Sequence, residues 1–153
     1  MQDYNDQLTK ARKELELADH IIYITYPIVK DKSLFLSAVT HLTNSAVSAI
    51  DLFLNREKDF KKILMLPPST KLRAKFFAEN YNCVYNSSTD FWRDLMDMIE
   101  FTESKPEKVE FEKQERICVL NENYKILRFD MEKIKKNIVS VKDLISKISS
   151  NIQ

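Results

Sequence analysis

Six polar residues recur through the centre of the chain at spacings of four, three, four, three and four: Ser37, His41, Asn44, Ser48, Asp51 and Asn55. At about 100° per residue these positions fall within a sector of roughly 80° on one helix. A solvated helix face normally carries Lys and Glu, and this stripe has neither, so it is expected to meet protein or ligand. A buried Asp51 would need a charged or hydrogen-bonding partner, because an unpaired buried carboxylate is costly. His20 or His41 could supply it. The chemistry would then be general-base catalysis in a small polar cleft, with His20 or His41 as base and Asp51 orienting the ring. The plainer reading, which we prefer, is an interhelical hydrogen-bond network that fixes register.

His20 stands beside Asp19 on an apolar helix end, where a lone His is more often a rim residue than a ligand. Cys83 and Cys118 lie 35 positions apart, which matches neither a disulfide framework nor a metal-ligand spacing. Both are read as free thiols, and no metal or other cofactor is expected. Asp90, Asp94 and Asp97 share a helix face and could bind a hard cation, but read more plainly as a solvated face.

Charge is segregated along the chain. Residues 56–75 carry Arg56, Lys58, Lys61, Lys62, Lys71, Arg73 and Lys75 against Glu57 and Asp59, a local +5. Residues 76–104 carry Arg93 against Glu79, Asp90, Asp94, Asp97, Glu100 and Glu103, a local −5. Lys61, Lys62, Lys71, Arg73 and Lys75 could form a phosphate-binding patch with Phe60, Phe76 and Phe77 for base stacking. Alternatively the two blocks neutralise each other and the Phe residues belong to the core. The overall charge of +1 favours neutralisation.

The elements that must position these residues are mostly helical. Leu8, Ala11, Leu15, Ala18, Ile22 and Thr25 form a heptad seam in a first helix, whose apolar end Ile21–Ile24 is expected to be deeply buried and to stop at Pro27. Asp31 or Ser33 can cap a second helix running to about Lys58, with Leu34, Phe35, Ala38, Val39, Leu42, Ala46, Ala49, Ile50, Phe53 and Leu54 on its apolar side. Its Ser33–Asn55 stretch has one charge, but the polar stripe marks it as a buried helix and not a membrane span. Pro67-Pro68 ends an apolar Ile-Leu-Met-Leu run in a pinned connection. Ser69 or Thr70 can cap a third helix to about Asn80, and Ser88 or Thr89 a fourth with Phe91, Trp92, Leu95, Met96 and Ile99 at helical period. After Pro106 the period becomes two. Ile117–Leu120, an Asn121-Glu122-Asn123 turn and Tyr124–Phe129 read as a hairpin, because Asn tolerates positive φ. A lone hairpin is marginal in water, so it must pack on the helices or pair with another chain. Asp130 caps a last helix with a second heptad seam through Ile134, Ile138, Val141, Ile145, Ile148 and Ile152.

Length and composition set the bounds. The 153 residues fit one domain, and 44% apolar with 31% charged residues is too apolar for a disordered chain. There is no Gly at all, which removes phosphate-cradling loops, dinucleotide fingerprints and nucleophile elbows, since each needs Gly where backbone turns sharply or approaches a ligand. The acidic, non-apolar N-terminus is unlike a signal peptide, and a reducing cytosol is the expected compartment.

The string Ala18-Asp19-His20-Ile21-Ile22-Tyr23-Ile24-Thr25-Tyr26-Pro27, with Ile117-Cys118-Val119-Leu120-Asn121-Glu122-Asn123-Tyr124 before the last helix, resembles a group of small archaeal helical proteins without an assigned function. These are similar in outline to HEPN-type bundles. The resemblance implies such a fold and, for catalytic members, metal-independent RNA cleavage by an Arg followed after four to six residues by a His, acting across a dimer. Here seven residues separate Arg12 from His20, Arg116 has no downstream His, and His41 has no nearby upstream Arg. The resemblance thus implies the fold without the ribonuclease motif.

The expectation is therefore an all-α bundle of about five helices with a small accessory β-hairpin near 116–129, serving as a non-enzymatic cytosolic interaction module. A protein partner or a second copy would bind through the stripe or a heptad seam. An RNA-binding or HEPN-like ribonuclease component of toxin-antitoxin type is the alternative.

Overall fold

The computed structural model describes residues 4–85, 88–112 and 115–152, with only the backbone described at Cys83 and Val84. It is mostly helical, with a small three-stranded antiparallel sheet. Helix α1 spans Tyr4–His20, α2 Tyr26–Val29, α3 Lys32–Asp59, α4 Thr70–Tyr85, α5 Thr89–Glu103 and α6 Met131–Ile152. Strands β1 (Pro106–Glu112), β2 (Arg116–Asn121) and β3 (Ile126–Asp130) lie in that order in the sheet.

Helix α3 is the spine. Asp31 caps it as its spacing predicts, the carboxylate accepting from the Ser33 amide at 2.8 Å. Ala38, Ala46 and Ala49 are fully buried on it, and so are Ala11 and Ala18 on α1. These small side chains permit a close approach, which Ser45 uses to donate to the Ala11 carbonyl at 2.7 Å across the helix pair. Leu8, Ala11, Ala18 and Ile22 from the first seam, and Ile134, Ile138, Val141, Ile145 and Ile148 from the last, are buried in one continuous core with α3. Most of both seams is thus packed within the chain, and Leu15, Thr25 and Ile152 are partly buried.

Pro27 does not stop the first helix. Residues Ile21–Thr25 wind as a π-helical turn, with the Tyr26 amide bonding back to the Ile21 carbonyl, and the chain continues through α2 with Pro27 in its first turn. The wider turn makes room for the ring and the missing N–H. Tyr23 and Ile24 are exposed, so the expected deep burial of Ile21–Ile24 holds for Ile22, is partial at Ile21 and fails for those two. Tyr26 packs edge-to-face on Phe35 with ring centroids 5.8 Å apart, which fixes the corner.

Ser69 Oγ accepts from the Leu72 amide and Ser88 Oγ from the Phe91 amide, so both expected caps form, although α4 runs on to Tyr85. An aromatic cluster of Phe53, Phe77, Tyr81, Tyr85 and Trp92 joins α3, α4 and α5.

The expected hairpin is the β2–β3 pair of a longer meander. Ile117, Val119, Leu127 and Phe129 turn one face of the sheet inward, where Phe129 meets Phe101 of α5 at 5.5 Å between ring centroids. The hairpin therefore packs on the helices. Its turn departs from the sequence argument: positive φ falls on Tyr124 (61°) and on neither Asn121 nor Asn123. Asn121 instead acts through its side chain. Its Oδ1 accepts from the amides of Asn123 and Lys125, and its Nδ2 donates to Glu100 and Ser104 of α5. With no Gly in the chain, left-handed backbone is carried by Lys30 (53°), Lys61 (62°), Glu115 (57°) and Tyr124.

Candidate functional site

The polar stripe divides between two separate pairs. His41 Nδ1 lies 2.6 Å from Glu14 Oε2 of α1, and Asp51 is gripped by Arg73 of α4. Asp51 therefore does not orient a histidine, and the Asp51–His pairing that the stripe allowed is not made. His20 is exposed at the end of α1 and takes no side-chain hydrogen bond or ion pair among the described residues. Asn44 is exposed, whereas Ser37, Ser48 and Asn55 are partly buried. Among the described residues, His41 and Asp51 alone of the six make side-chain hydrogen bonds. Sequence reasoning missed Glu14, whose position on α1 gave no sign of facing His41.

A carboxylate beside an imidazole can orient a general base. Three clefts of about 400, 390 and 320 Å³ lie between α5 and α6, between α4 and α5, and between α1 and α6, and neither Glu14 nor His41 lines them. The Glu14–His41 pair ties α1 to α3.

Arg73 does more than neutralise Asp51. Its Nε donates to Asp51 Oδ1 at 2.8 Å and its Nη2 to Oδ2 at 3.4 Å and to Thr70 Oγ1 at 3.2 Å. Its Nη1 donates to the carbonyls of Pro67 at 3.3 Å and Pro68 at 3.1 Å. The planar fork of a guanidinium suits this work, since it presents several donors in fixed geometry. At the other end of the same connection α3 closes in a Schellman motif: the Lys62 amide bonds to the Glu57 carbonyl and the Lys61 amide to that of Lys58, with Lys61 left-handed. Ile63 is buried between the two anchors.

What this frame leaves outside is apolar. Leu64 is 93% exposed and Met65 82% exposed, and Phe60 and Leu72 flank them, also exposed. The sequence signal was the apolar Ile63-Leu64-Met65-Leu66 run set inside a basic stretch.

The basic residues of this region are largely matched. Lys71 pairs with Glu100 of α5, Lys75 with Glu79 at 4.0 Å, and Lys62 with Glu57 at 3.6 Å. Lys71–Glu100 joins the basic and acidic blocks directly, as neutralisation requires. Hydrogen bonding from Lys71, opposed by burial, holds the Glu100 carboxyl below its ordinary range. Glu57 is buried, and although Lys62 stands within ion-pair range, Glu57 Oε2 receives no hydrogen bond. Phe77 is fully buried and Phe76 packs against Tyr81, so neither stands free for a base. Phe60 is exposed under Arg56, whose guanidinium carbon lies 4.8 Å from the ring centroid.

The three aspartates of α5 also differ from a plain solvated face. Asp94 accepts from Asn137 at 3.2 Å, and burial pushes its carboxyl above the ordinary range. Asp90 is exposed beside Arg93. Together with Asp97 they line the 400 Å³ cleft opposite Arg128, Lys133 and Lys136. Among the described residues no three His, Cys, Asp or Glu side chains are grouped to hold a metal ion. Cys118 is a free thiol, pushed up by burial and by Glu112; the side chain of Cys83 lies outside the described residues. No described helix is long and apolar enough to cross a membrane.

No family model matches this chain, and neither a curated protein nor a solved structure matches it.

Proposed function

We propose that this chain is a non-enzymatic helical interaction module, HEPN-like in outline and cytosolic, that docks a protein partner through the connection between α3 and α4. The observation that carries this reading is the exposure of Leu64 and Met65 on a connection anchored at both ends, by the Schellman motif and Ile63 on one side and by Arg73 on the other. Large apolar side chains on the surface favour association, and a segment already held in shape loses little conformational entropy when it binds. The complementary partner presents an apolar pocket, with acidic groups near Lys58 and Lys61.

The alternative, RNA binding or HEPN-like cleavage, draws less support. Lys62, Lys71, Arg73 and Lys75 each stand beside a carboxylate of their own chain, and Asp51 is paired with Arg73 and not with a histidine. Sedimentation equilibrium of the protein with a short single-stranded RNA, at low and physiological salt, separates the two readings. The interaction reading predicts a mass indifferent to RNA. Salt-sensitive RNA binding that is lost on neutralising Lys61, Lys62, Lys71 and Arg73 would replace it with the nucleic-acid reading.

A further inference from the structure

Among the described residues strand β1 pairs with β2 along one edge and has no strand on its other edge. Every residue of Pro106–Glu112 is exposed except Val109, which is partly buried. An open edge presents unpaired N–H and C=O groups and is a template for another strand; proteins usually block it with charge, proline or a bulge. All three occur here: Pro106 begins the strand, the register shifts between Pro106 and Lys108, and the strand carries Glu107, Lys108, Glu110 and Glu112. The order of these charges, however, does not block every partner.

An antiparallel pair of identical strands is two-fold symmetric, so its register is defined by its centre. Residues that face each other across a sheet point to the same side, so the two-fold must pass through a residue position. Of the three such registers of Pro106–Glu112 that pair at least five residues, two place like charges directly opposite: Lys108 on Lys108, or Glu110 on Glu110. The third is centred on Val109. It pairs Val109 with itself, sets Lys108 opposite Glu110 twice, and faces Glu107 with Phe111, whose ring is exposed in the single chain. Opposite charges at directly facing positions stabilise a strand pair and like charges destabilise it. Lys108 and Glu110 already lie 2.9 Å apart on the same sheet face within one chain, so a second copy would extend this pair into an alternating four-charge cluster.

We propose that β1 is a self-recognition edge: two copies of this chain join antiparallel about Val109, extending the three-stranded sheet to six strands. A single strand edge is a small contact, so the dimer is weak and forms in the range of a transient interface. It is independent of the α3–α4 connection, and Leu64→Asp leaves it unchanged.

Sedimentation equilibrium of the full chain over a wide concentration range at low salt tests this. The native sequence is expected to show a monomer–dimer equilibrium. Lys108→Glu and Glu110→Lys each place two like-charge pairs across the two-fold and should weaken the dimer at least tenfold. Both side chains are exposed, so the thermal midpoint is expected to stay within a few degrees in each variant. The decisive sample is an equimolar mixture of the two variants, in which every facing pair is opposite in charge again; it should recover dimer that neither variant forms alone. A native chain that stays monomeric throughout overturns the proposal, as does a dimer insensitive to both substitutions, or a mixture that fails to reassociate.

Discussion

Arg73 grips both carboxylate oxygens of Asp51, and with the guanidinium nitrogen left over it holds the carbonyls of Pro67 and Pro68. One side chain therefore links the middle of α3, the start of α4 and the connection that presents Leu64 and Met65. Removing it should loosen the connection more than it unfolds the bundle. Arg73→Ala is expected to cost about 2 kcal/mol, since the pair is partly exposed and the connection also loses carbonyl partners. Hydrogen exchange should quicken around residues 62–69 while α1 and α6 keep their protection. Arg73→Lys should fail to restore that protection, because an ammonium cannot reproduce the fork.

Asn121 satisfies two amides of the β2–β3 turn and two acceptors on α5 while almost fully buried. Asn121→Ala leaves those amides without their partner and should cost about 2–3 kcal/mol by urea denaturation, among the larger penalties for a single polar residue here. Asn121→Asp keeps the acceptor but brings a second carboxylate to Glu100, and should be no better tolerated.

The pH dependence of stability should carry the mark of Lys71. The Glu100 carboxyl is depressed below its ordinary value of 4.5, first by the Lys71 hydrogen bond. A depressed acid favours the folded state when ionised, so its contribution is present above pH 4.5 and is lost as pH falls through the lower folded value. Lys71→Met should therefore destabilise by about 1 kcal/mol at pH 7, with the difference from the native chain shrinking as the pH falls below the ordinary value of 4.5. Asp94 has the opposite sign. Burial raises its carboxyl above 3.8, so ionisation on raising the pH through the shifted value costs stability; Asp94→Asn should raise the thermal midpoint at pH 7 and lose that advantage as pH falls toward 3.8.

Left-handed backbone at Lys30 and Lys61 is a cost that a chain without Gly cannot avoid. Both residues follow helix ends, where Gly is the usual solution. Lys30→Gly and Lys61→Gly are each expected to stabilise by about 0.5–1 kcal/mol in equilibrium unfolding.

Much of the helical frame was legible because it rests on local rules. Asp31, Ser69 and Ser88 cap where their spacing says they should, and the Ile134–Ile148 seam is buried as its period requires. Pro27 misled because its local effect is real, yet the π turn before it and the Tyr26–Phe35 contact accommodate it. The turn at Asn121 was located correctly for the wrong reason, since the side chain and not the backbone of Asn does the work. The candidate site was half legible: Asp51 was recognised as needing a partner, and Arg73 stood in the basic block, but nothing local joins two residues 22 positions apart. The apolar run and the pinned connection were legible at Ile63–Pro68, but residue type alone does not say that Ile63 goes inside while Leu64 and Met65 stay out.

The most direct test of the interaction module is a photo-reactive amino acid placed at Leu64 in the full chain, in living cells of its source, with the same group at exposed Lys10 of α1 as control. The account predicts one discrete adduct at Leu64, identifiable by mass spectrometry, that Met65→Asp abolishes and the Lys10 position does not give. The absence of an adduct at Leu64, or the same pattern at both positions, would contradict it.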